Sequence, residues 1–308
     1  MNFTPIIKEV GRGARGARGL DAATAREAFT ALLDGGVSDT QLGAWWLAMR
    51  IKGETPEELA AFVDAMQASL AFRVNLGGAP VAVLPCYNGA RQLLNLTPLL
   101  AWALAQRGTR TLLHGVRQDP TRTTTFELFQ ALGFPVAESG LEAEHALTSR
   151  GLAFVPIDVL HPKLAALLAN RWRIGVRSTP HTVVKLLQPM TGPQTRVVAL
   201  THGDYIERMA AHLASQSGAR GVVFRGCEGE PVLHPKRTVP VQIFRNGETL
   251  MREWPGVAAH DLPETCDIAT TVAYIGSVIS GQRALPAWID WLAREVHAAA
   301  HEQTSPAG

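Results

Sequence analysis

Three stretches of this 308-residue chain hold side chains whose types and spacing could do chemistry. The first is Pro85-Cys86-Tyr87-Asn88-Gly89-Ala90-Arg91, followed by Asn95-Leu96-Thr97-Pro98. A phosphate cradle uses several glycines so that backbone N–H groups can approach the anion. One glycine among Pro, Tyr and Arg makes a poor pyrophosphate loop and fits a shaped turn better. The second, residues 114–125, offers Arg117, Arg122, four threonine hydroxyls and a helix start, all good phosphate partners. It reads equally well as a solvated loop with a threonine cap. The third runs from His161-Pro162-Lys163 through Arg171-Trp172-Arg173 and Gly175-Val176-Arg177 to His181 and Lys185. Cations alternating with an aromatic suit a surface that tracks a phosphate backbone and stacks a base. The other reading is helix-surface arginines around a core tryptophan. No histidine is assigned to a metal, and no cofactor is expected.

These residues need elements to position them. The first 70 residues read as helices with local stop signals. Asp21 caps a helix over 22–33, with Gly35 and Gly36 ending it. Ser38 and Gln41 form a capping box ahead of Leu42, Trp45, Trp46 and Met49, and Gly53 stops that helix. Thr55-Pro56-Glu57-Glu58 is a second box before Leu59, Phe62, Val63 and Met66. Trp45 and Trp46, being adjacent, face different directions, so one is expected in the core and the other is a candidate for a dimer seam. Beyond Leu76-Gly77-Gly78, strands over 81–84, 109–114, 152–155, 196–200 and 221–224 alternate with helices over 97–106, 124–132 and 205–215. That order predicts parallel βαβ units. In an open parallel sheet, ligands sit beyond the carboxyl ends of the strands, and the three stretches follow the first, second and third strands. Residues 163–169 and 181–187 look helical and interrupt the strand series, which suggests a return to the helical part. Gly11–Gly19, rich in arginine and glycine, is expected to be a mobile arm or linker, and the tail from Glu302 to be mobile.

Charge narrows the function classes. The net charge is +2, but its layout is uneven. No acid lies between Asp64 and Asp119, where Arg73, Arg91, Arg107, Arg110 and Arg117 do. None lies between Asp158 and Asp204, where Lys163, Arg171, Arg173, Arg177, Lys185 and Arg196 do. Brought together by folding, these runs would make a one-signed surface that attracts polyanions. Lys236-Arg237 beside His234 could extend it. The N-terminus has no apolar signal segment, and no run of about 18 uncharged apolar residues suggests a membrane span. The three cysteines, Cys86, Cys227 and Cys266, lack a CxxC spacing and read as free thiols of a reducing, cytoplasmic setting.

The order of these pieces resembles the anthranilate phosphoribosyltransferase family over roughly residues 5–230. Residues 34–41 and 50–59 are similar to that family's helical domain. The segment from His114-Gly115 and Arg117 to Leu132-Gly133 resembles its second substrate loop, and His161-Pro162, Arg171, Gly175 and Arg177 match the spacing of a third segment. The chain also departs from the pattern. The family's Gly-Thr-Gly-Gly-Asp loop, which holds the pyrophosphate of phosphoribosyl pyrophosphate, falls on Pro85 to Gly89 without those glycines. Its Lys-His-Gly-Asn-Arg falls on Leu113-His114-Gly115-Val116-Arg117, and its paired serines on Pro120 and Thr121. Its Asp-Glu magnesium pair belongs just after Gly229, where this chain has Glu230-Pro231-Val232. Magnesium takes carboxylates completed by phosphate oxygens and water, so one glutamate is a weak site.

Such losses resemble the YbiB-type branch, which keeps the fold and is described as a homodimeric nucleic-acid-binding protein. The resemblance implies an α/β protein of the nucleoside phosphorylase/phosphoribosyltransferase kind. It would have a small N-terminal helical, dimer-forming domain (1–72 with 163–190) and a larger α/β domain with a mainly parallel sheet (73–162 with 191–308). The expected function is sequence-nonspecific binding of DNA or RNA along a basic groove, without catalysis. The groove residues are Arg91, Arg117, Arg122, Lys163, Arg171, Trp172, Arg173, Arg177, His181 and Lys185. The alternatives are a phosphoribosyltransferase with a divergent site and a sensor of small anions.

Overall fold

The computed structural model describes residues 2–13, 15–245, 247–258 and 262–301. Ala14 of the glycine-rich segment and the tail from Glu302 lie outside them. The chain forms two compact units. One holds the residues through Ala71 together with His161–Gln188; the other holds Phe72–Leu160 and the chain from Pro189 onward.

The helical unit begins with α1 (Thr4–Val10), α2 (Ala22–Leu33), α3 (Asp39–Lys52) and α4 (Pro56–Ala68). Its helix starts are set locally. The Asp21 carboxylate accepts from Thr24 N–H, and both capping boxes close, Ser38 with Gln41 and Thr55 with Glu58. Each cap satisfies N–H groups that have no partner inside the helix. Trp45 and Trp46 are both fully buried, so neither is available for a seam with another molecule. Trp45 meets Phe62 edge-on, and Phe62 lies 5.0 Å from Phe29 between ring centres. The described part of the glycine-rich segment turns back on α1: Ala17 N–H donates to the Gly13 carbonyl and Arg18 N–H to the Glu9 carbonyl.

In the α/β unit, β1 (Val81–Cys86), α5 (Thr97–Gln106), β2 (Arg110–Gly115), α6 (Thr125–Ala131), α7 (Gly140–Ser149) and β3 (Leu152–Pro156) come first. A short α8 (Ile157–Leu160) ends this part. The chain then contributes α9 (Pro162–Ala169), α10 (Arg171–Ile174), α11 (Thr179–Val183) and a 3-10 turn (Val184–Leu186) to the helical unit. The α/β unit resumes with β4 (Gln194–Leu200), α12 (Gly203–Ala214), β5 (Arg220–Arg225), β6 (Val239–Arg245), β7 (Glu248–Trp254), α13 (Ile268–Ile279) and α14 (Ala287–His301).

The seven strands form one sheet in the order β3-β2-β1-β4-β5-β6-β7. The first five run parallel; β6 and β7 add an antiparallel hairpin. Strands β1 and β3 are apolar and buried on both faces, as parallel strands covered by helices must be, and β2 is buried from Thr111 onward although it carries Thr111 and His114. Helices α5 and α14 supply much of one cover, through Leu99, Leu100, Leu104, Ile289, Leu292 and Val296. The carboxyl ends of β1 and β2, in register at Cys86 and Gly115, present the first two loops side by side.

Candidate functional site

The loop after β1 is an anion cradle, but the anions are the protein's own. Glu230 is buried, and one of its oxygens accepts N–H bonds from Asn88 (2.7 Å) and Gly89 (2.9 Å). Its other oxygen accepts from the hydroxyls of Thr125 (3.0 Å) and Thr97 (3.5 Å). Two residues earlier, Glu228 accepts from three successive N–H groups, those of Arg91 (3.2 Å), Gln92 (2.9 Å) and Leu93 (3.1 Å), and from the Arg122 guanidinium (3.4 Å). Consecutive N–H groups converging on one carboxylate form a nest, the backbone device that also binds phosphate.

The turn that delivers both carboxylates is built for close approach. A Cβ on Gly229 would stand 1.8 Å from the Asn88 amide nitrogen, so only glycine fits there. Glu228 has φ 53°, the only non-glycine in the left-handed region among the described residues. That conformation costs on the order of 1–3 kcal/mol and persists only where surrounding contacts fix it. Here the four donors on its carboxylate do so. The magnesium-pair position is therefore a hydrogen-bond acceptor already in use. Among the described residues no group of three or more His, Cys, Asp or Glu gathers as a metal site. The sequence does carry one H-x-x-x-H spacing, His297 and His301 on α14. Both rings share the Thr109 hydroxyl.

The loop after β2 is closed by its own contacts. Asp119 accepts from Thr121 N–H and hydroxyl, and Thr124 caps α6. Arg117 was expected to face a phosphate backbone. Its guanidinium instead lies between Glu138 (2.6 Å) and Asp158 (2.9 Å), three nitrogens bonding two carboxylates. The hydrogen bonds to Arg117 hold the Glu138 carboxyl below its ordinary range. Arg122 is likewise committed, to Glu228 and the Gly89 carbonyl. The Arg91 side chain is exposed while its N–H serves the nest.

The third stretch sits wholly on the helical unit. His161 is a cap: Nδ1 accepts from Leu164 N–H at the start of α9, and Nε2 lies 2.9 Å from the Met66 carbonyl. Burial holds its pKa down. After α10, the chain is fastened to α3 and the turn beyond it. Trp46 Nε1 donates to the Val176 carbonyl (2.8 Å), Ser178 to the Trp46 carbonyl (2.7 Å), and Arg50 to the Arg177 carbonyl (2.6 Å). Just before these bonds stands Trp172, half exposed, with the Arg171 guanidinium stacked 4.0 Å from its ring centre. The core reading of Trp172 is thus excluded. Arg173 pairs with Asp39 and Lys163 with Asp34, both at 2.6 Å and with all four side chains well exposed.

Lys185 is buried and does not belong to the exposed face. His181 packs edge-on against Trp46, its Nδ1 buried with no partner among the described residues. Burial, then the nearby charges of Arg177 and Arg171, push its pKa well down, so it stays neutral and adds no positive charge. The expectation of one-signed runs is corrected in the same terms: Asp34, Asp39, Glu138, Asp158 and Glu228 come from elsewhere in the sequence to meet these cations.

A helical bundle, a mainly parallel sheet and a cradle at the end of β1 define a glycosyltransferase-type architecture, and comparison with known proteins agrees. Residues 4–70 match the family model described as "Glycosyl transferase family, helical bundle domain". The chain is 37% identical over 290 residues to the uncharacterized protein YbiB of Escherichia coli, covering 93% of this chain and 90% of that one. It is 28% identical to the anthranilate phosphoribosyltransferase of an Arthrobacter species, over 82% of this chain and 73% of that one. The structure of anthranilate phosphoribosyltransferase from Thermus thermophilus superposes with a TM-score of 0.77 at 22% identity, over 99% of this chain and 91% of the other. The chain belongs to the anthranilate phosphoribosyltransferase-like glycosyltransferase family 3, with YbiB among its relatives.

Proposed function

We propose that the protein binds nucleic acid without sequence preference, through the exposed face of α9 and α10 on the helical unit, and that it does not transfer phosphoribosyl groups. The observation that carries the first half is Trp172, a large aromatic ring left half in water with a guanidinium on its face and further cations beside it. A base stacked on the ring and phosphates on Arg171, Arg173 and Lys163 would use all of these groups at once. The ion pairs of Arg173 and Lys163 are no obstacle. Exposed pairs contribute about 0–1 kcal/mol, so a phosphate can replace the carboxylate at little cost. Charge supports the same placement: the helical unit has 12 Lys and Arg against nine Asp and Glu, the α/β unit 17 against 18. A homodimer formed through the N-terminal helices belongs to this reading, supported by Leu47 and Ile51, two apolar side chains left exposed one turn apart on α3.

The second half rests on the cradle after β1, whose N–H groups are already bonded to Glu228 and Glu230. The divergent-enzyme alternative would need those donors free for pyrophosphate.

Binding to labelled single- and double-stranded oligonucleotides across a salt series tests the proposal. Log affinity is expected to fall steeply with log salt, and each lost phosphate contact to lower the slope by roughly 0.7 to 1. Arg171→Ala with Arg173→Ala should weaken all oligonucleotides alike and flatten the slope. Trp172→Ala should cost single strands about 1–3 kcal/mol and duplex much less. Unchanged affinity and slope in the arginine variant would remove the site from α10. Magnesium-dependent turnover of phosphoribosyl pyrophosphate with anthranilate would overturn the second half.

A further inference from the structure

Two carboxylates from a three-residue turn occupy two adjoining sets of backbone donors. Asn88 and Gly89 serve Glu230; Arg91, Gln92 and Leu93, with the Arg122 guanidinium, serve Glu228. Five N–H groups and a cation collected at the end of a parallel strand favour anions as a class, whichever molecule supplies them. Nothing in these donors is specific for a carboxylate. What makes the occupant intramolecular is the turn Glu228-Gly229-Glu230, held in place by a non-glycine residue at φ 53° and by a glycine that leaves room for Asn88.

We propose that this cradle is an oxyanion site filled by the protein's own Glu228 and Glu230 side chains, which stand in for two phosphoryl groups and exclude inorganic phosphate and pyrophosphate. The geometry has two consequences. In the native protein the five N–H groups of this cradle are all in use, so phosphate and pyrophosphate find no place in it. Shortening either glutamate empties one set of donors next to intact neighbours, and a small oxyanion from solution then fills it. Glu230 is the deeper plug, buried with two hydroxyls on its second oxygen. Glu228 lies nearer the rim, its side chain 13% exposed. The inference goes beyond the binding face on α10 and survives its failure, because no residue is shared between them.

The test is thermal unfolding of the full chain, native and as Glu230→Ala, Glu228→Ala and Glu230→Gln, titrated with sodium phosphate, sodium pyrophosphate and, at matched ionic strength, sodium chloride. Both alanine variants are expected to melt several degrees below the native protein. Phosphate or pyrophosphate in the millimolar range should restore them saturably, while chloride does not. The native protein and Glu230→Gln, which keeps an acceptor oxygen in place, should not respond. Should Glu230→Ala fail to fold, Glu228→Ala at the rim decides. The proposal is overturned if a folded alanine variant gains no more from phosphate than from chloride, or if the native protein is itself saturably stabilised by pyrophosphate. Oligonucleotide affinity, measured on the same variants, is expected to stay at the native value, so loss of the nucleic-acid reading and loss of this one give different results.

Discussion

His114, at the end of β2, is wholly buried beside Tyr87, with its Nδ1 2.6 Å from the Tyr87 hydroxyl. Burial raises the phenol's pKa and lowers that of the imidazole to about 3, so the hydrogen bond joins a protonated phenol and a neutral ring. The unfolded chain protonates this histidine near 6.5; the folded chain resists until about 3. Its contribution to stability is therefore complete above pH 6.5 and is lost as pH falls through the window from 6.5 toward 3. At pH 4.5 the loss amounts to about 2–3 kcal/mol. Denaturant unfolding of the native protein and His114→Phe between pH 4.5 and 7.5 checks this. The difference in stability between the two should shrink, or turn in favour of the variant, as the pH drops; a constant difference would mean that His114 titrates normally. At this scale the sequence was least informative. Arg117 follows a strand and precedes a helix, and nothing near it reveals that Glu138 and Asp158, 21 and 41 residues away, take its guanidinium. Linear runs without acids describe the chain, whereas charge at a surface is set by tertiary neighbours.

Elements with local signals were far more legible. The caps at Asp21, Ser38 and Thr55 rest on side-chain to backbone bonds spanning three residues, and they form where the sequence places them. The β6–β7 hairpin and α7, α13 and α14 were missed. Strand β7 is mostly exposed, so it shows little apolar alternation, although an Asn-Gly pair, a strong hairpin signal, precedes it in sequence. One cap also does long-range work. Glu58 closes the box at α4 with Thr55 N–H (2.8 Å), accepts Leu20 N–H (2.9 Å) and holds the Lys52 ammonium at 2.5 Å, with both side chains buried. Glu58→Ala should thus cost about 3–5 kcal/mol, because it leaves a buried ammonium with only the Gly53 carbonyl, no opposite charge, and two N–H groups without partners. Ser38→Ala, which loses only an exposed cap, should cost about 1 kcal/mol. Chemical unfolding of the two variants gives the comparison, and equal losses would show that the Lys52–Glu58 pair adds nothing beyond the cap.

For the whole molecule, the open question is what covers α3. Its inward face is spent on Trp45, Trp46 and Met49, all fully buried, yet Leu47 is 47% and Ile51 70% exposed. A shallow apolar groove lined by Ile7, Val10, Ala44, Ala48 and Ile51 continues that outer face toward α1. Scattered apolar residues at a surface need no explanation, but a leucine and an isoleucine stacked at i and i+4 beside such a groove form a patch. In a two-fold dimer one patch serves both subunits, so a single substitution is introduced twice in the same interface. Ile51→Glu should therefore move the protein from dimer to monomer in sedimentation at micromolar concentration. It should not unfold the helical unit, because residue 51 takes no part in its core. Monomer formation would also halve the number of α9–α10 faces that one particle offers to a long oligonucleotide. Affinity for a strand long enough to reach both faces should fall by more than affinity for a short one, through the loss of the second attachment. A native protein that sediments only as a monomer would overturn the dimer proposal. An Ile51→Glu variant that stays dimeric would move the seam off α3.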